Sequence, residues 1–480
     1  MNVARLLVSA AHKSSGKTTL SVGLCAALRA QGLTVQPFKK GPDYIDPMWL
    51  AQAAGRDCFN LDPYLSSHDE ITATFWQHAS TTDISLVEGN KGLHDGVALD
   101  GSNSNAALAH LLGLPVLLVI DARGMTRGIA PLILGFQAFD KRIRIGGVVL
   151  NQVGGSRHEA KLRAVIEHYT DVPVLGALAH EPAISLNERH LGLTPSGELD
   201  DVAQRVSQLG HRVAVHVDLP RVIELARSAD SLPAAARPAV VGRSTPLPTV
   251  RIGIARDKAF GFYYPEDLAA LRAAGAELLP FDTLRDARLP AVDGLFIGGG
   301  FPEMFMTELQ ANASLRGDIA AAIDAGLPAY AECGGLMYLA RSLRWQGRTC
   351  RMVGAIAADV TMHTKPVGRG YMRLVPTIDH PWPASPAAAD GLLAHEFHYS
   401  SLDNLPSGQR FAYRVERGHG IDGMHDGLIH RNLLASYAHL RSVAGNDWPA
   451  RFVTFVREHR ARRDAGATPA RPVSEMAMAC

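Results

Sequence analysis

Leu6-Leu7-Val8-Ser9 leads into Ser14-Ser15-Gly16-Lys17-Thr18-Thr19 and then into the Ala/Leu-rich stretch Leu20 to Gln31. An apolar strand, a turn and a helix follow one another here, which is how a phosphate-binding loop is built. The strict pattern G-x-x-x-x-G-K-[ST] is incomplete, because Ala11 stands where the first glycine belongs. The mechanical part survives: a helix start offers backbone amides and partial positive charge to phosphate oxygens. Gly16, Lys17, Thr18 and Thr19 are the candidate cradle for ATP, with Lys17 against the outer phosphates and the Thr18 hydroxyl toward Mg²⁺. Taken without its surroundings, the same triplet also describes a solvated lysine at a helix start.

The surroundings favour the loop. Val35 to Phe38, Ile84 to Glu88, Val116 to Ile120 and Val148 to Asn151 are near-continuously apolar, as strands buried on both faces of a parallel sheet are. Helical stretches such as Ala106 to Leu112 lie between them. This alternation predicts an α/β, doubly wound domain that binds ligands where strand C-termini end. A chain of 480 residues is too long for one ordinary domain. Pro and Ala concentrate between 230 and 249, which reads as a linker. A first domain at 1–229, a second α/β domain at 250–458 starting at Val250-Arg251-Ile252-Gly253-Ile254, and a disordered Arg/Ala/Pro-rich tail at 459–480 are expected.

Acids follow the loop. Phe38-Lys39-Lys40-Gly41-Pro42-Asp43-Tyr44-Ile45-Asp46-Pro47 sets two carboxylates beside a Gly-Pro turn, and Val87-Glu88-Gly89 puts another at the end of a buried strand. Asp43, Asp46 and Glu88 are read as catalytic, with Thr18, Asp46 and Glu88 as candidate Mg²⁺ ligands, since phosphoryl transfer gathers negative charge that must be offset. Asp95, in Gly92-Leu93-His94-Asp95-Gly96, suits a turn as well as a catalytic task.

A second chemistry lies three hundred residues on. Ala329-Tyr330-Ala331-Glu332-Cys333 reads as a strand, and Gly334-Gly335 permits a sharp turn into a helix expected over Leu336 to Ser342. A thiol there gains from the helix N-terminus. Gly298-Gly299-Gly300 upstream supplies flexible backbone, so the amides of Gly299, Gly300 and Gly334 are candidate oxyanion donors. The candidate base is His439, in Ser436-Tyr437-Ala438-His439-Leu440 after the apolar run Leu433 to Ala435. Many class I amidotransferases carry a glutamate two residues past the histidine; here Arg441 stands in that place, and the third group is open.

Composition narrows the rest. Hydrophobic residues are 47% and charged residues 20%, and the formal charge of +1 gives no general attraction to nucleic acid or an anionic membrane. No apolar run is long enough to span a bilayer. The opening Met1-Asn2-Val3-Ala4-Arg5 is not the start of a signal peptide, so a cytoplasmic protein is expected. Five cysteines without a CxxC pair argue against a disulfide framework or a structural zinc site.

Together SSGKTT, FKKGPDYIDP, VEGNKGLHDG, GVVLN at 147–151, ERHLGL at 188–193, GGGFPE, AECGG, HEFHYS at 395–400 and SYAHL resemble the cobyrinic acid a,c-diamide synthase family. The motifs stand in the family's order over roughly residues 1 to 455. The resemblance implies a dethiobiotin synthetase-like P-loop domain followed by a class I glutamine amidotransferase domain. It implies that ATP phosphorylates an acetate carboxylate (a and c) of a modified tetrapyrrole and that ammonia from glutamine displaces the phosphate. Asn151 matches a position that would read the nucleotide base, and His395 and His398 a motif for the macrocycle site or domain interface, although ordinary strand packing suits their spacing too. One departure bears on the substrate: Asn90-Lys91 and the ending Asn432 to Arg441 are similar to siroheme amidase relatives. Cobyrinate, hydrogenobyrinate and siroheme all stay open, as does a homodimer. Two rivals remain, a cobyric acid synthase-like enzyme amidating other side chains and a P-loop switch ATPase with an inactive glutaminase domain.

Overall fold

The computed structural model describes residues 3–181, 188–189, 192–232, 249–384 and 391–466. The expected linker therefore falls mostly outside the described residues, as do 190–191 of ERHLGL and the tail beyond 466. The chain divides into two compact units, Met1–Gly242 with Phe262–Glu266, and Arg243–Gly261 with Asp267–Cys480.

The first unit alternates β1 (Arg5–Ala10), α1 (Lys17–Ala30), β2 (Val35–Lys40), α2 (Ile45–Ala54), β3 (Phe59–Leu61), α3 (His68–Ala79) and β4 (Ile84–Glu88). It continues through α4 (Asn105–Leu111), β5 (Val116–Asp121), α5 (Ile129–Phe139), β6 (Ile145–Val153), α6 (Ser156–Tyr169) and β7 (Val174–Ala179). A short pair, β8 (Glu188–Arg189) with β9 (Gly192–Leu193), precedes α7 (Val202–His216) and α8 (Leu219–Arg227). Strands β1 to β7 form one parallel sheet in the order β3-β2-β4-β1-β5-β6-β7. Its central strands are buried along their whole length, which is why they read as unbroken apolar runs. The order reverses around β1, so the loop after β1 and the ends of β2 and β4 share one crevice.

Beyond residue 249 come β10 (Val250–Ala255), β11 (Phe260–Phe262), α9 (Pro265–Ala273), β12 (Ala276–Phe281), β13 (Gly294–Ile297) and β14 (Gly299–Gly300). Next are α10 (Met306–Ala311), α11 (Ala313–Asp324), β15 (Ala329–Glu332), α12 (Gly334–Leu339), β16 (Ala340–Trp345), β17 (Arg348–Arg351) and β18 (Ile356–Met362). The last are β19 (Gly368–Pro376), β20 (Leu392–His398), β21 (Ser400–Asp403), β22 (Arg410–Arg417), β23 (His425–His430), β24 (Leu433–Ser436) and α13 (Trp448–Gly466). The main sheet runs β12-β10-β13-β15-β24 in parallel and continues β23-β22-β19-β20 antiparallel. A four-stranded sheet β17-β16-β18-β21 accompanies it. Among the described residues no helix is long and apolar enough to cross a membrane.

Two sequence expectations shift. The helix expected over Leu336 to Ser342 starts at Gly334 and stops at Leu339, because Ala340 onward pairs with β17 and β18. The second unit does not end at Glu458: α13 continues to Gly466, with Arg460 and Arg463 bonded to the buried Asp293.

Gly335 is required by close approach. A Cβ there would fall 2.1 Å from the Ile297 carbonyl oxygen, whereas one on Gly317 in α11 meets nothing within 4 Å. Gly335→Ala should therefore lower the unfolding free energy by about 3 kcal/mol through overpacking. Gly317→Ala should raise it by about 0.5–1 kcal/mol through helix propensity. Denaturant midpoints for both variants check this pair.

Candidate active sites

The phosphate loop forms as a sharp turn with Gly16 at φ +90°, immediately before α1. Asn151, at the end of β6, donates its Nδ2 hydrogen to the Ser15 carbonyl at 2.9 Å. A Cβ on Gly16 would fall 2.0 Å from that nitrogen, so glycine and asparagine fit each other. Behind the loop lies a cleft of about 420 Å³, lined by Gly16, Lys17, Thr18, Thr19, Asp43, Asp46, Glu88 and Asn151 among others. Every nucleotide-site residue expected from sequence thus faces one cavity, of a volume usual for small-ligand sites.

The centre of that cleft is a residue to which sequence gave no task. Lys39, at the end of β2, places its Nζ 2.5 Å from Asp46 Oδ2, 2.7 Å from Glu88 Oε1 and 3.8 Å from Asp43 Oδ2. The register of β2 on β4 sets Lys39 directly beside Glu88. Thr18 Oγ1 donates to Glu88 Oε1 at 2.7 Å and lies 3.3 Å from Asp46 Oδ2. Burial works against the Lys39 charge, yet Asp46, Glu88 and Asp43 together hold its pKa well above the ordinary lysine value. Burial also opposes ionisation of Asp46, but Lys39 outweighs it and keeps that carboxyl below its usual range. Glu88 goes the other way, its pKa raised by burial. Burial and then the nearby Lys39 pull the Lys17 amine down to about 8, against opposing pulls from Glu88, Asp46 and Asp95.

Two acids have local tasks as well. Asp43 Oδ1 accepts the Ile45 and Asp46 amides and so caps the start of α2, leaving Oδ2 toward Lys39; burial, then Asp46, push its carboxyl up to about 7. Asp95 accepts the Gly92 amide, the turn role sequence allowed for it. Asn105, missed from sequence, ties the 88–92 loop by donating to the Asn90 and Gly92 carbonyls.

The donors fit a magnesium ion. Thr18 Oγ1, Asp46 Oδ2 and Glu88 Oε1 converge, and Glu88 Oε2 is buried without a hydrogen-bond partner among the described residues. Among the described residues no group of three or more His, Cys, Asp or Glu side chains is placed to hold a metal ion. Mg²⁺ commonly takes only one or two carboxylates and completes its shell with water and phosphate oxygens, so the sparse set suits it.

In the second unit Cys333 follows β15 with φ +46°, a left-handed backbone that a non-glycine residue adopts at a cost of about 1–3 kcal/mol. Its amide donates to the Ser436 carbonyl at 2.7 Å, tying the turn to the end of β24. Gly334 packs onto Gly300, where a Cβ would fall 2.9 Å from the Gly300 nitrogen and oxygen. Side chains at these positions would separate the two backbones. The candidate oxyanion donors Gly300 and Gly334 therefore converge beside Cys333, with Gly299 adjacent in β14.

His439 is hydrogen-bonded to Cys333, as the pairing of base and nucleophile requires. Its Nδ1 lies 3.5 Å from Glu332 Oε2. Burial would lower the imidazole pKa, but the bonds to Cys333 and Glu332 and their charges raise it to about 10. The histidine backbone is fixed by paired bonds with His395, 2.8 Å from His439 N to His395 O and 3.3 Å in return, and the two rings stack at 4.9 Å. Asp426 accepts the Tyr437 and Ala438 amides just upstream. His398 stacks on Tyr437 at 3.8 Å. Both histidines of HEFHYS thus pack against the His439 segment, the strand-packing alternative left open by sequence.

Comparison with known proteins agrees with this division. Residues 251–446 match the CobB/CobQ-like glutamine amidotransferase domain, and residues 4–187 match an AAA domain. A P-loop unit followed on one chain by a glutamine amidotransferase unit defines an ATP-dependent, glutamine-hydrolysing carbon–nitrogen ligase. A cobyrinate a,c-diamide synthase of Magnetococcus marinus is 46% identical over 459 residues, covering 95% of this chain and 98% of that one. Its namesake from Methanosarcina barkeri is 40% identical over 495 residues, with 96% and 98% covered. One from Synechocystis is 38% identical over 441 residues, with 91% and 90% covered. The chain belongs to the cobyrinate a,c-diamide synthase family.

Lys39→Met would leave Asp46 and Glu88 buried without their counter-charge, and should lower unfolding free energy at pH 7 by about 3 kcal/mol. Because Lys39 has a raised pKa, its stabilisation is complete below the ordinary lysine value of 10.5 and is lost only as pH rises further. Toward acid the carboxylates take up protons, so the deficit of the variant should shrink. Urea unfolding of both proteins across pH 4 to 9 measures it.

Proposed function

We propose that the two sites run one reaction, amidation of the a and c acetate side chains of cobyrinate or hydrogenobyrinate with nitrogen from glutamine. The observation that carries this is the presence of both built sites on one chain: Lys17, Thr18, Asp46 and Glu88 around one cleft, and Cys333 hydrogen-bonded to His439. The names of the relatives support the substrate class.

At the first site an acetate oxygen attacks the γ-phosphorus of ATP and ADP departs, leaving an acyl phosphate. Lys17, with Gly16 and Thr19 amides, holds the phosphates, and Lys39 balances the charge that gathers there. Mg²⁺, held by Thr18, Asp46 and Glu88, would supply further neutralisation. Asn151, its nitrogen committed to Ser15, would meet the base through its oxygen. At the second site the Cys333 sulfur attacks the glutamine amide carbon, with the negative oxygen received by amides of Gly299, Gly300 and Gly334. His439 gives its proton to the leaving ammonia, and water then releases glutamate from the thioester. Ammonia attacks the acyl phosphate carbon, phosphate leaves and an amide forms.

Siroheme is the second reading of the substrate. Asn90 and Lys91, the pair similar to siroheme amidases, line the cleft. Mass spectrometry of products from hydrogenobyrinate, cobyrinate and siroheme, assayed side by side, decides between them; a diamide from none of the three overturns the reading.

Cys333→Ala should abolish glutamine-driven synthesis while synthesis from ammonium salt continues, since only ammonia generation is lost. Loss of both would contradict this division of labour. Lys17→Ala should reduce amidation from either nitrogen source by about 10³-fold or more, the scale of removing a cationic phosphate contact in phosphoryl transfer. Product formation by chromatography reads both variants.

A further inference from the structure

The place that a glutamate two residues past the histidine would fill is taken in this chain by Arg441. A carboxylate nevertheless stands at the imidazole, and it comes from the residue immediately before the cysteine. We propose that Glu332 is the positioning residue of the thiol site, orienting His439 through Nδ1 so that Nε2 faces the Cys333 sulfur. This deepens the reading of Cys333 and His439 as a glutamine-hydrolysing pair and rests on it.

The geometry is specific. Glu332 is 2% exposed, at the end of β15. Its Oε1 accepts the Tyr330 hydroxyl at 2.6 Å and the Leu440 amide at 3.0 Å, which fixes the carboxylate. Its Oε2 is then directed at His439 Nδ1, 3.5 Å away. Glu332 therefore grips the histidine twice, by the ring and by the peptide that follows it. A carboxylate on Nδ1 selects the tautomer and favours the imidazolium, the counter-charge a sulfur anion needs. The other groups around the ring do not replace it. His395, whose ring stacks on that of His439, is held well below the ordinary histidine pKa by burial, then by His439 and Arg441. Tyr330 and Tyr437 are held far above their ordinary range by burial and carry no charge.

The end of β15 brings nucleophile and orienting acid together by sequence adjacency, while the base comes from the segment just after the neighbouring strand β24. Such a site needs nothing at position 441.

The test compares wild type and Glu332→Gln as full chains, measuring glutaminase kcat/KM against pH. Glutamine preserves size and the bond from Leu440 but removes the charge. The expected result is a fall of about 10²-fold, the scale of general acid–base assistance, and an alkaline limb displaced to lower pH by a unit or more. The sign follows from the chemistry: without the carboxylate, His439 loses its proton at lower pH. A merely structural glutamate would reduce activity at every pH and leave the limb where it was, and that result overturns the proposal. Should Glu332→Gln fail to fold by circular dichroism, Glu332→Asp is read instead. It keeps the charge but draws it back, and the limb should move partway; an unmoved limb again overturns the proposal. Cys333→Ala separates the two levels. If it retains glutaminase activity, the reading of the site is wrong; if it is inert while Glu332 variants keep the wild-type limb, only the role of Glu332 is wrong.

Discussion

Neighbouring strands in a parallel sheet end on the same side, and both sites of this chain depend on which strands are neighbours. In the first unit β1 lies between β4 and β5, and β2 lies on β4, so the phosphate loop, Lys39 and Glu88 meet without any long excursion of chain. In the second, β15 lies between β13 and β24, so the turn carrying Cys333 has the glycine segment on one side and the approach to His439 on the other. Shifting either sheet by one strand would leave every motif intact and every site dismantled. Order and register are the constraint; the reactive side chains are its consequence.

Both sites also bring charges together out of water, and each handles the penalty differently. Around the nucleotide cleft a fully enclosed ammonium offsets several carboxylates; Lys39 holds Asp46 below its usual range, while burial raises Glu88 above its own. Such a cluster contributes little net stability compared with apolar packing, but removal of one partner is expensive. It suits a site that must accept a highly charged ligand, because the groups can exchange partners when one binds. At the thiol the load is carried by backbone as well as charge: Cys333 is held in a left-handed turn, and amide hydrogen bonds to the Ser436 carbonyl and the Asp426 carboxylate, with the paired bonds to His395, keep the surrounding segments in place.

What could be read from the residues alone was whatever is local. Gly16-Lys17-Thr18 after an apolar strand, and Cys333 between a strand and two glycines, each announce a turn whose chemistry follows from its neighbours in sequence. His439 could be found because a base was needed near the end of the domain. Lys39 has no local signature, since its importance comes from standing beside Glu88 across two strands. Glu332 looks like one more strand residue in sequence, and its only signal is a carboxylate in an otherwise buried run. Asn105 and Asp426 act purely through loops they tie, which no spacing rule reveals. The helix after Cys333 ends at Leu339 rather than Ser342 because Ala340-Arg341-Ser342 is claimed by pairing with β17 and β18, a tertiary contact that no local composition announces.

The proposal that ATP activates the acetate by direct phosphorylation is open to an isotope test. With substrate carboxylates labelled with oxygen-18, the wild-type enzyme is allowed to turn over with glutamine and ATP, and the inorganic phosphate is examined by phosphorus NMR. The acyl phosphate route requires one labelled oxygen in phosphate for every amide formed. Phosphate free of label, with amide made in full yield, would contradict it.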